Sequence, residues 1–274
     1  MRDLWAVVSD PHCGSTLGLC PSDGVELDDG GHYLPSAAQR KLWDCWLDFW
    51  KTVRARRRKG DRFRVVINGD WVDGDHHRTG QIVSKNLAAT QHEIAVRALH
   101  PAIRLNPETI VVIRGTEAHV GASAEFEERA AREVKALRCP ATSGWSWWHF
   151  QALSQGVLLD FAHHGSVGRL PWTRPNAAVS LAARIALAAA KQGGRAPDLA
   201  IRSHMHQGAD SYDHVKPTRV IQTRGWQLST SFVHRIAAGS LPEIGGLLIA
   251  CEGGRYEVEK VEFDWRRDDP WQPK

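Results

Sequence analysis

Phe63-Arg64-Val65-Val66-Ile67-Asn68-Gly69-Asp70-Trp71-Val72-Asp73-Gly74 is an apolar, β-branched run that breaks at a glycine into two closely spaced aspartates. A buried strand followed at once by an acid-bearing turn is what an open α/β sheet offers where its ligands sit, beyond the carboxyl ends of the strands. Two runs of the same character lie on either side, at residues 4–9 and 109–114. Between the first two, Ser36 with Gln39 makes a capping-box start, and Leu42, Trp43, Trp46, Leu47, Trp50 and Val53 recur at helical spacing. Between the second and third, residues 85–105 read as helix, stopped before Pro107. The order βαβαβ predicts a largely parallel sheet with helices packed on it.

The second half has a different pattern. After a helix at about 124–136, two strand-like runs at 147–153 and 157–162 are joined by Ser154-Gln155-Gly156, a hairpin signal. An alanine-rich helix over 176–192 ends at Gly193-Gly194, suited to a left-handed cap. Strand-like runs follow at 199–203, 219–223, 246–251 and 256–263. This half is expected to pair antiparallel and to form a second sheet packed on the first. No repeat or linker divides the chain, so residues 1–274 read as one α/β domain. The loop over 11–35 exceeds the ~12–15 residues of a passive connection and is expected to flank a site.

Composition narrows the function. Hydrophobic residues at 42% and charged residues at 24% are ordinary for a globular chain, and a net charge of +4 is too small to argue for a polyanionic partner. Five cysteines without a C-x-x-C pair suit a reducing compartment. The first apolar run is shorter than the roughly 7–15 residues of a signal core. The apolar stretch at 177–190 is broken by Ser180 and Arg184 and falls short of the ~20 residues that span a bilayer. A cytoplasmic protein with no membrane contact is expected.

Fourteen histidines stand out by where they fall. The strand-like runs lead into Asp10-Pro11-His12, into Asp70 and Asp73, into Gly115-Thr116-Glu117-Ala118-His119, into His163-His164-Gly165 and into His204-Met205-His206. Imidazole with carboxylate suits Zn, Mn, Fe, Co or Ni, while the lack of a thiolate cluster speaks against structural zinc or iron–sulfur. Six or more ligands exceed one tetrahedral ion. Two divalent ions about 3.5–4 Å apart would use them and would clamp an in-line displacement at phosphorus.

In their order, Asp10-Pro11-His12, Gly69-Asp70-Trp71-Val72-Asp73, Gly115 to His119, His164-Gly165 and Ser203-His204-Met205-His206 resemble the D-x-H, G-D-x-x-D, G-N-H, H and G-H-x-H motifs of the calcineurin-like metallophosphoesterases. The resemblance implies a two-sheet α/β sandwich flanked by helices. It also implies a dinuclear centre, manganese favoured, in which Asp10, His12 and His206 hold one metal, Asp70 bridges, and His164 with His204 hold the second. A bridging hydroxide would be the nucleophile, and His119 the catalytic proton donor to the leaving-group oxygen. The family's Asn ligand is missing here. Glu117 is the expected substitute as a hard carboxylate, ahead of Thr116 or a water, and similar G-T-x-x-H variants occur among phage-type members. His163 is the alternative to His164. Where the protein Ser/Thr phosphatase branch carries an arginine, this chain has Gly74, which turns the expected substrate from a phosphoprotein toward a phosphodiester or a small-molecule phosphoester.

Other features compete. Arg54, Arg56, Arg57, Arg58, Lys59, Arg62 and Arg64 would track a nucleic-acid backbone, or serve as cations at a helix C-terminus. A nucleic-acid-binding module or nuclease with a partly degenerate metal site is therefore the alternative function. Asp73, Asp75, His76 and His77 read equally as a further binding cluster or a solvated loop. Trp145, Trp147 and Trp148 read as core rather than base-stacking residues, and Cys13 as a packed thiol. Nothing in the sequence sets the oligomeric state.

Overall fold

The computed structural model describes residues 1–75, 80–165, 171–237 and 239–266. In chain order its strands are β1 (Asp3–Val8), β2 (Val25–Glu26), β3 (His32–Tyr33), β4 (Arg62–Asn68), β5 (Thr109–Ile113), β6 (Phe150–Ser154), β7 (Val157–His164), β8 (Leu199–Ser203), β9 (Ala209–Asp210), β10 (Arg219–Gln222), β11 (Ile244–Glu252) and β12 (Arg255–Phe263). The α-helices are α1 (Ala37–Arg56), α2 (His92–Ile103), α3 (Glu117–Val120), α4 (Glu125–Glu133), α5 (Arg174–Lys191) and α6 (Ser231–Ile236). One sheet runs β12-β11-β1-β4-β5 and a second runs β6-β7-β8-β10-β9.

The expected parallel unit is present, since β1, β4 and β5 pair parallel in sequence order. The late strands depart from expectation. β11 pairs antiparallel with β1, and β12 with β11, so both complete the first sheet rather than the second. The reason lies in the side chains. Leu247, Ile249 and Cys251 face the other sheet while Ile244 and Leu248 face the helices, so β11 needs cover on both faces. β12 alternates charge, with Glu257, Glu259 and Lys260, and accepts the edge. The second sheet likewise contains parallel pairs, β7 with β8 and β8 with β10, beside the expected β6–β7 hairpin.

The two sheets pack face to face. Trp5, Val7, Val66, Val111 and Ile113 meet Phe150, Leu159, Phe161, Leu199 and Ile201 between them. On the outer face of the first sheet, Leu4, Ala6, Val65 and Ile67 pack against Leu42, Trp46 and Phe49 of α1 and Ile94 and Leu99 of α2. α5 lays Ala178 and Ala182 on Ala200 and Val220 of the second sheet. This is the helix-flanked α/β sandwich that the sequence implies. The capping box at Ser36 forms, with Gln39 returning its side chain to the cap. The helix expected over 85–105 is divided. Leu87–Gln91 is a π-helical turn, which brings Gln91 in to exchange hydrogen bonds with the backbone of Gly74. No helix among the described residues is long and apolar enough to cross a membrane.

Candidate metal centre

Because β1, β4, β5, β7 and β8 run parallel or face one another across the sandwich, their carboxyl ends deliver Asp10, Asp70, Thr116, His163 and His204 to one place. The loops after β1 and β4 stay paired beyond the strands, through Asp10 N–H to Gly69 O at 2.9 Å and His12 N–H to Asp70 O at 3.0 Å. A buried polar belt beneath them joins the two sheets. Asn68 Nδ2 donates to Ser203 Oγ at 2.5 Å, Thr223 Oγ1 donates to Ser203 Oγ at 2.9 Å, and Ser9 Oγ lies 2.6 Å from Thr223 Oγ1.

Two groups of candidate ligands result, Asp10 with His12 and His206, and Asp70 with His163 and His204. In the first, His206 Nε2 lies 3.3 Å from Asp10 Oδ1 and 3.1 Å from His12 Nε2. In the second, His163 Nε2 lies 3.0 Å and His204 Nδ1 3.8 Å from Asp70 Oδ2. Asp70 is central, because His12 Nε2 and His119 Nε2 each approach the same Oδ2 at 4.0 Å. Asp73 joins His12 and His119 in a third, overlapping group.

The outer nitrogens are held in a way that suits metal ligation. His12 Nδ1 lies 3.0 Å from Asp73 Oδ1, His163 Nδ1 2.8 Å from the Asn68 carbonyl, and His119 Nδ1 2.9 Å from the Asp73 carbonyl. With Nδ1–H donated to each acceptor, the Nε2 of each of these three rings is turned toward the centre, which fixes ring angle as ligating histidines require. Asp10 Oδ1 is buried with no hydrogen bond of good geometry, its near neighbour being His206 Nε2 at 3.3 Å. A carboxylate oxygen in that state, beside imidazole nitrogens aimed at one another, fits a cation better than it fits the protein alone.

Backbone strain marks the same residues. Asp10, His12, Asp70, His204 and His206 have φ of 54°, 44°, 50°, 76° and 53°. Left-handed backbone costs a non-glycine residue about 1–2 kcal/mol, so five ligand candidates in it indicate geometry kept for a purpose other than stability.

Electrostatics follow from burial and charge. Burial depresses the His12 pKa to about 3, aided by neighbouring His206, and burial with His12 depresses His119 to about 4. Burial also works against charge on His163, but the Asp70 and Asp10 carboxylates prevail and raise it to about 10. Asp70 is held well below the ordinary carboxylate range, its burial being outweighed by His163 and by hydrogen bonds.

The structure sets some sequence alternatives apart. At the β7 end, His163 is buried on the inward face that Val157, Leu159 and Phe161 share, whereas His164 is exposed. Strand alternation already placed His163 on that face. In the third block, Glu117 is exposed at the start of α3, and Thr116 is the residue brought in. Thr116 Oγ1 lies 3.0 Å from His204 Nδ1 and 3.4 Å from both His163 Nε2 and Asp70 Oδ2. Asp75 lies 3.9 Å from Lys85, and His76 and His77 fall outside the described residues.

Glu127 was not singled out by sequence. Its buried carboxylate accepts from Trp71 N–H at 3.0 Å and Gly115 N–H at 2.8 Å, tying together the turns that carry Asp70 and Thr116, and burial raises its pKa to about 7. The signal was its place three and four residues before Ala130 and Ala131, on the buried face of α4.

The basic run sits at the opposite end of the sheet, where α1 ends and β4 begins. Arg56 pairs with Glu259, Arg62 with Asp3, and Arg64 with Asp3 and Glu108, while Arg57 donates to the Leu105 carbonyl. Trp147 packs against Phe150 at the edge of the inter-sheet core, and Trp148 is exposed over Arg114.

Gly115 gives a direct test of the packing here. A Cβ at this position would lie 2.2 Å from Asp70 Oδ1 and 2.3 Å from Asp70 N. Gly115→Ala is expected to displace Asp70, to destabilise the fold by about 1–3 kcal/mol as overpacking does, and to weaken any divalent-ion binding at the cluster. Thermal melts with and without Mn²⁺ measure both effects, and unchanged manganese stabilisation would contradict this placement.

No protein-family model and no curated protein matches the chain. Among solved structures, a conserved uncharacterized protein of Streptococcus pneumoniae TIGR4, described as a predicted phosphoesterase, aligns at 9% identity over 96% of this chain and 90% of that one, with a TM-score of 0.39. A Vps29 double mutant from Entamoeba histolytica aligns at 12% identity over 96% and 100%, with a TM-score of 0.40. The sulfate thiohydrolase SoxB of "Termus thermophilus" aligns at 11% identity over 95% of this chain and 56% of its own length, with a TM-score of 0.44.

Proposed function

We propose that this chain is a metal-dependent phosphoester hydrolase acting on phosphodiesters, with Asp10, His12 and His206 holding one divalent ion, His163 and His204 a second, and Asp70 between them. The observation that carries this reading is the convergence of four other chain segments on Asp70 Oδ2, through His12, His119, His163 and His204, with the far nitrogens of His12, His119 and His163 tied to oxygen acceptors. When bound, the ions supply Lewis-acid stabilisation of charge at the phosphoryl group and a nucleophile at neutral pH. Nitrogen and oxygen ligands without sulfur suit Mn, Fe, Co, Ni or Zn, with manganese the first to test.

The chain's own residues supply the rest. Asp70 and Asp10 bring negative charge that offsets close cations. Thr116 takes the place between His204 and Asp70 where an amide would otherwise stand, and donates its backbone N–H to Asp70 Oδ1 at 2.6 Å, which fixes that carboxylate. His119 Nε2 lies 4.0 Å from Asp70 Oδ2 in the floor of the same cavity and is the group that would reach a leaving-group oxygen. Gly74 supports the diester reading: it has a φ of 76°, and a Cβ there would meet the His119 carbonyl at 2.4 Å, so no arginine can stand at that place to grip a dianion.

The test is hydrolysis by purified protein reconstituted with Mn²⁺ and freed of excess metal. Release of p-nitrophenolate from bis-(p-nitrophenyl) phosphate in preference to the monoester is expected. Stoichiometric metal with no cleavage of either ester, across Mn, Fe, Co, Ni and Zn, would overturn the proposal.

A further inference from the structure

The phosphoryl chemistry uses only the floor of a much larger cavity. The space above His12, Asp70, His119, His204 and His206 has a volume of about 680 Å³, in the range of sites that enclose a small organic ligand. Its far wall is α6 and the segment that follows. Leu228, Phe232, Val233, Ile236, Leu241 and Pro242 line it. Phe232 is 59% and Ile236 67% exposed, although both belong to a helix with no buried side chain. A helix whose large apolar residues line an open cavity instead of packing into the core costs solvation. That cost is recovered when an apolar group fills the space.

We infer that this wall is a specificity subsite for an apolar ester substituent, so that the substrate of the proposed hydrolase is a phosphoester carrying an aryl or similarly hydrophobic group rather than a small polar alcohol. The inference rests on the phosphoester reading and adds the chemistry of the group attached to phosphorus. Two features support it. The wall and the metal floor line one cavity, so one molecule spans both. Among the described lining residues Arg235 is the sole lysine or arginine, and Glu243 lines the same cavity, while the apolar side chains of the wall are contiguous.

Phosphonates separate the contributions of head and substituent, because their phosphorus–carbon bond is not hydrolysed. Phenylphosphonate and methylphosphonate share a head group and differ only in the apolar part. Calorimetric titration into the manganese-loaded protein is expected to show phenylphosphonate binding about 10- to 50-fold more tightly, the gain from burying one aryl face. Phe232→Ser and Ile236→Ser, each tested alone, are expected to reduce that ratio severalfold while leaving methylphosphonate affinity unchanged. Because both side chains are largely exposed, the variants keep their fold, which manganese-dependent melting checks. Equal affinity for the two phosphonates, or an unchanged ratio in both variants, overturns the subsite and leaves the phosphoester reading standing. Failure of both phosphonates to bind protein that holds its metal overturns the subsite, while the phosphoester reading stands or falls separately on hydrolysis of bis-(p-nitrophenyl) phosphate.

Discussion

Asp70→Asn is expected to abolish the proposed phosphodiester turnover, by a factor on the order of 10³ or more, and to lose at least one of the two proposed ions, while the protein stays folded. Asp70 Oδ2 is the point approached by His12, His119, His163 and His204 within 4.0 Å, so its charge is what would make the proposed pair of cations tolerable. The amide is the same size. Its oxygen can still accept the Thr116 N–H, and its NH₂ can donate to His163 Nε2 once that ring is neutral. Removal of the carboxylate removes the main influence that raises the His163 pKa, which shifts the ring toward its neutral form, and in that form the pair is satisfied without charge. The buried site is therefore expected to tolerate the change structurally, while its affinity for cations falls. Elemental analysis after gel filtration, a thermal melt without metal and the initial rate on bis-(p-nitrophenyl) phosphate measure the three effects. Full metal content with normal turnover would remove Asp70 from the centre of the account.

Which parts of this could be read from sequence follows from what each part depends on. β1, β4, β5 and β8 are short apolar runs buried on both faces, and such runs announce themselves. Because the acids and histidines follow them immediately, the gathering of Asp10, His12, Asp70, His204 and His206 followed from topology alone. The placement of β11 did not. Its own residues say only that it is buried twice over, and which sheet can bury it depends on β1 having an open edge. α6 is six residues long with nothing buried, so it has no amphipathic period to detect, and the wall it forms was invisible for that reason. The pairs His163 and His164, and Thr116 and Glu117, are separated by direction. Chemistry favours the carboxylate, but a residue at the first turn of α3 points outward, and the hydroxyl one position earlier faces Asp70. Strand parity would have resolved the first pair, whereas the second needed the geometry of the turn.

For His119→Ala, the expected result depends on the leaving group. His119 Nδ1 faces the Asp73 carbonyl at 2.9 Å, so its N–H is donated there and Nε2 points into the cavity. Burial and the nearby His12 hold its pKa near 4, so in the free protein the ring is neutral at pH 7. Arrival of an anionic phosphoester supplies the negative charge that raises this value, and the ring can then carry a proton to the departing oxygen. Such help matters in proportion to the basicity of the leaving oxygen. Loss of the imidazole should therefore cost about 10²–10⁴ in kcat for a phenyl or alkyl ester, and far less for p-nitrophenolate, which leaves readily without a proton. Metal content should be unchanged. His119→Asn, which retains an N–H for the Asp73 carbonyl, should behave like the alanine variant if proton transfer is the role, and like wild type if holding the Asp73 loop is all that His119 does. Because His119 also stands with His12 and Asp73 as a third ligand group, the competing outcome is definite: equal losses on both kinds of ester, together with lost metal, would make His119 a ligand instead of a proton donor.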